Sequence, residues 1–190
     1  MSADPIAEHL VALQEDLAYH QTRVLLLVVA VSTADGHARK LDGLTKLAKL
    51  DFLTRYPALA SRVLRDLSPH DARLHISGTE ALAPTDVEDP MIRYKYGPWD
   101  DRYYPVIGSL VGRSLLKYVR GRQGSVALAP TPAGKRFAAD VASLPQWRAV
   151  GDRCEAIAEA SAGLTGNGLK ELIYRSLADL MNRPHRELIK

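Results

Sequence analysis

A mainly α-helical fold carrying one small β-hairpin is what this 190-residue sequence predicts, and three observations predict it. The first is the order of signals over 94–139: turn, helix, strand, basic glycine turn, strand, helix. The second is the helix expected over 99–113 after the Gly97-Pro98 turn, with Tyr103, Ile107, Leu110 and Val111 on one face at three- and four-residue spacing. The third is the pair of short strands 115–119 and 125–129. They are joined by Gly121-Arg122-Gln123-Gly124, whose glycines can take positive φ in a tight connection. With helices over 22–33 and 43–56 upstream, the order helix, helix, helix, hairpin is that of a winged helix-turn-helix. A single domain over 1–190 is expected: a winged-helix core over 22–143 with an insertion at 57–93, and a helical extension over 145–190.

Asp4-Pro5 opens a first helix over 5–19, with Leu10, Leu13 and Leu17 as its apolar stripe. The helix over 22–33 is apolar nearly all round, so it belongs in the core, and Asp35-Gly36 ends it. Asp42 is placed to cap the next helix, in which Leu44, Leu47, Ala48 and Leu50 form the buried side and Lys46, Lys49 and Arg55 the wet side. Pro57 breaks it, and a short helix continues over 58–67. Prolines and weak periodicity make 68–89 a loop, after which 91–96 alternates as a strand. Thr131-Pro132 supplies a capping oxygen and a first-turn proline for a helix over 132–143. Helices over 145–162, with Trp147, Val150, Cys154 and Ile157 inward, and over 167–181 complete the chain. As extra elements with apolar stripes, these terminal helices either enlarge the same core or form a dimer or partner surface.

About half the residues are apolar and the net charge is +3, the balance of a globular domain. Charge is uneven, however. Residues 1–95 hold 11 Lys and Arg against 13 Asp and Glu, while residues 96–190 hold 14 against 9. The hairpin half is the basic half, which suits a phosphate-facing surface and equally suits ordinary solvated charge. One cysteine excludes an intramolecular disulfide, and no signal peptide or membrane span is read, so the cytoplasm is expected. The apolar run 24–31 is too short to cross a bilayer.

Catalytic patterns are not found. Cys154 sits on an inward helical face without a neighbouring histidine, and His70 and His75 lack a third ligand for zinc. The glycines over 163–168 lack the preceding strand a dinucleotide site needs. Carboxylates at Asp86, Glu88 and Asp89, and at Asp100-Asp101, could hold Mg²⁺, but the latter pair reads as helix-terminal charge favoured by the dipole. No cofactor, no metal and no enzymatic activity are expected.

A helix that reads bases presents donors such as Arg, Asn or Gln. The third helix instead opens with Trp99-Asp100-Asp101, where carboxylates would repel phosphate. Trp99, Arg102, Tyr103 and Tyr104 are therefore candidate protein-interface anchors, or else core packing. Arg113, Lys117, Arg120, Arg122, Lys135 and Arg136 are candidate sequence-independent contacts to double-stranded DNA. The competing reading is a dimeric winged-helix transcriptional regulator.

The segments LDGLTKLAKLDFLTRYP (41–57) and YKYGPWDDRYYPVIGSLVGRSLL (94–116), with the leucine-rich stretch 168–180, resemble the small middle components of bacterial ABC-three-component defence systems, the group that includes Lamassu. The matching positions are Leu41-Asp42, Lys46-Leu47 and Leu50-Asp51. The resemblance implies a non-catalytic winged-helix accessory subunit in a hetero-oligomeric antiviral complex. It would bind an SMC- or Rad50-like ATPase and couple it to an effector nuclease. It supplies no catalytic residues.

Overall fold

The computed structural model of the chain describes residues 5–74, 91–95 and 97–189, with side-chain surroundings from Leu17 onward. These residues are mainly helical, with two small antiparallel sheets. In chain order they form α1 (Pro5–Thr33), β1 (Leu41–Asp42), α2 (Leu44–Arg55), α3 (Pro57–Val63), a 3-10 turn (Ala72–Leu74), β2 (Met91–Tyr94), β3 (Gly97–Trp99) and α4 (Tyr103–Gly112). There follow β4 (Leu116–Arg120), β5 (Val126–Pro130), α5 (Pro132–Ala142), α6 (Pro145–Ala160), α7 (Gly166–Ser176), α8 (Ala178–Met181) and β6 (Leu188–Ile189). No described helix is long and apolar enough to cross a membrane.

The expected pair of helices 5–19 and 22–33 is a single helix, α1. Between Pro5 and Thr33 there is no glycine and no further proline, so no residue breaks the ladder. The expected cap at Asp4 and the stripe positions Leu10 and Leu13 lie outside the residues and side chains described. Among the described side chains of α1, Val24, Leu25, Leu27, Val28 and Val31 are buried in the core. The C-terminal helices enlarge this core: α6 packs along α1, α7 packs on α2, and Cys154, Ile157, Leu169 and Ile173 join the same apolar cluster.

The helix α2 departs furthest from its expected amphipathic form. Lys46, Lys49 and Arg55 are all buried, as is Asp51. Charged residues at helical spacing read as a wet face only if nothing covers them, and here α7, α6 and β3 do. Asp42 does not cap α2. The capping position is Gly43 at φ 86°, without a side-chain bond, and Asp42 Oδ1 instead accepts the backbone N–H of Arg122 at 3.0 Å.

Gly97-Pro98 does not launch a helix either. It is strand, because β3 folds back on β2 with Tyr94 opposite Gly97 and Ile92 opposite Trp99, so α4 starts at Tyr103. The other edge of β2 pairs with the chain's last strand, Met91 opposite Ile189. Side chains tie down that strand and, before it, the end of α8. Tyr56 Oη donates to Ile189 O at 2.9 Å, and Arg93 Nε donates to Met181 O at 2.8 Å. Of the loop expected over 68–89, residues 75–89 lie outside those described.

The hairpin forms one residue later than expected, with Leu116 opposite Pro130 and Arg120 opposite Val126. A third strand joins it: β1 pairs with β5, Leu41 opposite Leu128, giving the order β1-β5-β4. At the tip, positive φ falls on Gln123 (52°) and Gly124 (79°). Gly121 has φ −89° and is required for a different reason. A Cβ there would overlap the Ser125 hydroxyl and the Asp42 carboxylate. Thr131 caps α5 as expected, its Oγ1 accepting the Gly134 N–H at 2.9 Å.

Candidate functional site

Beneath α4 lies a chain of buried charges in which the Asp51–Arg55 pair is the link at i,i+4 helical spacing. Asp51 on α2 takes Arg23 Nε at 2.7 Å, Arg55 Nε at 3.0 Å and the Tyr103 hydroxyl at 2.7 Å. Arg55 continues to Asp100 Oδ2 at 2.7 Å, and Asp100 in turn receives Arg102 through its Nε at 3.0 Å and its backbone N–H at 2.9 Å. Burial works to raise the Asp51 pKa, but Arg23 and Arg55, with hydrogen bonds from Arg23 and Tyr103, outweigh it and hold the carboxyl below its usual range. Asp100 is likewise held low against burial by Arg102 and Arg55. Three guanidiniums face two carboxylates, and the surplus positive charge reaches water through Arg102, which is 28% exposed.

The same network settles the state of its neighbours. His20 Nδ1 lies 2.8 Å from Arg23 Nη2, a donor, so Nδ1 accepts. Burial, then the Arg23 charge, pushes His20 down to about 3, and the ring stays neutral at ordinary pH. Tyr103 is pushed well up by burial and by Asp51, so it remains a donor. A second buried polar set fixes the turn after α1. His37 Nε2 donates to Ala158 O at 2.7 Å, leaving Nδ1 to accept from Lys46 at 3.1 Å, while Lys46 also donates to Leu164 O at 2.7 Å.

Above the network, the surface of α4 is uncharged. From Tyr103 to Gly112 it carries no Lys, Arg, Asp or Glu, and its water-facing residues are Tyr104, Pro105, Gly108 and Gly112. Trp99 is half-buried beside it, with Tyr94 and Tyr104 at ring-centroid distances of 5.9 and 6.1 Å and its indole N–H donated to Asp101 at 3.1 Å. Tyr104 is 64% exposed and Tyr94 43%.

Of the four residues expected at a partner surface, Trp99 and Tyr104 belong to this exposed aromatic cluster and Arg102 lies at its edge. Tyr103 is not: it is 1% exposed and anchored to Asp51, because it belongs to the inward stripe of α4 with Ile107 and Leu110. Tyr94 takes its place. The expected repulsion between Asp100 and phosphate is also corrected, since Arg55 and Arg102 neutralise that carboxylate.

The candidate DNA contacts are less united than their sequence order implied. Lys117, Arg120 and Arg122 are part of β4 and the tip turn, but strand alternation puts Lys117 and Arg120 on opposite faces of the ribbon. Arg113 is exposed at the end of α4, and Arg136 on α5. Lys135 faces a groove between α1, α5 and α6. The sequence reading missed Arg39 and Lys40. Pairing of β1 with β5 brings that turn to the ribbon, where Lys40 Nζ donates to Arg120 O at 2.8 Å and Arg39 is exposed. Eighty residues separate Lys40 from Arg120, so only a hint of a short strand at Leu41-Asp42 could have found them.

Cys154 is inward as expected, and burial pushes its thiol up to about 12, far from a nucleophilic thiolate. His70 is exposed, while His75, Asp86, Glu88 and Asp89 lie outside the described residues. Among the described residues no three His, Cys, Asp or Glu side chains are grouped as metal ligands would be. Neither a family model, nor a curated protein, nor a solved structure matches the chain.

One buried cation makes a pH signature. Lys49 is 2% exposed, donates to Thr45 O at 2.9 Å, and is pushed down to about 8 by burial and then by Lys170. From about pH 8 up to the usual lysine value, the unfolded chain binds the extra proton, so stability rises with pH. Lys49→Met is expected to lack that rise: the wild-type minus variant difference in urea midpoint should move in favour of wild type between about pH 7 and 10. A flat difference would mean that Lys49 ionises normally.

Proposed function

We propose that this chain is a non-catalytic winged-helix accessory subunit that docks on a larger protein and makes at most sequence-independent contact with DNA. The observation that carries this reading is the uncharged exposed face of α4 beside the Tyr94, Trp99 and Tyr104 cluster. The helix in the position of a recognition helix offers no guanidinium, amide or ammonium to a base edge, and aromatic anchors of this kind are characteristic of protein interfaces. The winged-helix assignment is supported by the order α1, β1, α2, α4, β4, β5 and by β1 pairing with β5. The resemblance of 41–57 and 94–116 to the middle components of ABC-three-component, Lamassu-like systems points to the partners: an SMC- or Rad50-like ATPase and an effector nuclease in an anti-phage or anti-plasmid complex.

Two measurements test it. Co-purification of the intact chain with the products of neighbouring genes should recover a large coiled-coil ATPase, and Trp99→Ala with Tyr104→Ala should abolish the recovery without unfolding the chain. Binding to random duplex should be weak and fall steeply with salt. Replacing Arg120 and Arg122 by Ala should flatten the slope of log K against log salt by roughly 2, about 0.9 for each phosphate no longer neutralised. A footprint on one palindromic operator would instead establish a transcriptional regulator.

A further inference from the structure

The faces of α1, α5 and α6 enclose a groove of about 510 Å³ that neither the ribbon nor the aromatic cluster uses. Each helix contributes positions at helical spacing. Along α1 and its end they are Leu26, Val29, Ala30, Thr33 and Ala34; on α5, Lys135, Ala138, Ala139 and Ala142; on α6, Gly151, Glu155 and Glu159. Two turns of each helix therefore face one trough about 12 Å long, at 1.5 Å rise per residue. Small side chains at Ala139, Ala142 and Gly151 keep its walls low, and Thr33, Ala139 and Glu155 open onto water. An apolar floor of this length, with its charges at the rim, suits a rod lying along it better than a compact ligand held by directed hydrogen bonds.

Charge identifies the rod. Asp35, Glu155 and Glu159 rim the groove against Lys135 alone. Glu159 pairs with Arg73 at 2.9 Å, whereas no ion pair engages Asp35 or Glu155 among the described residues. The rim is net acidic, with two carboxylates free to meet cations.

We propose that this groove seats an amphipathic helix of a partner protein, its apolar face on the α1 and α5 alanines and its flanks basic, toward Asp35 and Glu155. The inference goes beyond the docking role proposed for α4 and uses a different surface. Failure of DNA binding or of ATPase recovery would leave it standing.

The test is fluorescence anisotropy with the full chain and labelled peptides of about 18 residues at about 0.15 M salt. An amphipathic helix of leucine and lysine should bind, and its leucine–glutamate counterpart should bind at least tenfold more weakly, as should a leucine–lysine peptide scrambled to lose its apolar face. Ala139→Trp, or Ala142→Trp if the first fails to fold, should weaken binding at least tenfold with Tm unchanged. Asp35→Lys with Glu155→Lys should reverse the preference between the two charged peptides. Binding that survives the tryptophans, or a scrambled peptide that binds as well, would overturn the proposal. So would a dimer in sedimentation that Ala139→Trp dissociates, which would make the occupant a second copy, or saturation by octylamine where no peptide binds, which would make it a small-molecule site.

Discussion

Asp51→Ala is expected to lower stability by about 3–5 kcal/mol, because it leaves Arg23 and Arg55 buried without their shared carboxylate. For a chain of this size that is a fall in Tm on the order of 10 °C. Asp51 is fully buried and accepts from Arg23, Arg55 and the Tyr103 hydroxyl, so one substitution unmakes contacts to α1, to α2 itself and to α4. Adding Arg23→Met to Asp51→Ala should recover part of the loss by removing one of the stranded charges. The diagnostic is the double-mutant cycle read by urea denaturation: a coupling near zero would mean that the arginines find water when Asp51 is gone. The effect also bears on function. Tyr103 is the residue through which the network positions α4, so the variant should lose the aromatic surface even where it stays folded.

Gly134→Ala should cost about 3 kcal/mol, at the upper end of what overpacking does. Gly134 lies in the first turn of α5, and a Cβ there would run into the carbonyl of Leu115. That carbonyl cannot retreat freely, since it accepts the Thr131 N–H at 3.0 Å and lies 3.3 Å from the Thr131 hydroxyl. Relief would have to come from separating α5 from the start of the ribbon, which would also loosen the Thr131 cap. Thermal denaturation of Gly134→Ala beside Gly108→Ala, a glycine with open space around its Cβ position, separates this clash from the general effect of replacing a glycine. Equal Tm values for the two would refute the close-packing account.

Local chemistry made much of the chain legible. Thr131-Pro132 and Pro145 mark the starts of α5 and α6, and the basic glycine turn marks the ribbon, because a cap, a proline and a reversal act over a few residues. The candidate site was less legible. Trp99 and Tyr104 stand on the surface, but Tyr103 turns inward: neighbours on a helix point about 100° apart, so two adjacent tyrosines do not share a face. Tyr94 reaches the cluster only because β2 and β3 pair, and Arg39 and Lys40 reach the ribbon only because β1 and β5 do. Strand pairing joins residues without regard to their separation in the chain.

The sequence alone determined where most of the helices lie, the ribbon, the apolar core along 24–31 and the basic bias of the second half, all of which follow from periodicity and composition. The tertiary structure alone decided which charges are buried. Lys46, Lys49 and Arg55 look like the wet side of an amphipathic helix until α6, α7 and β3 close over them and over Asp51. A charged side chain can leave water only where polar partners replace it. For Lys46, Asp51 and Arg55 those partners include Leu164, Arg23 and Asp100, dozens of residues away in the chain, while Lys49 turns back to Thr45 O on its own helix.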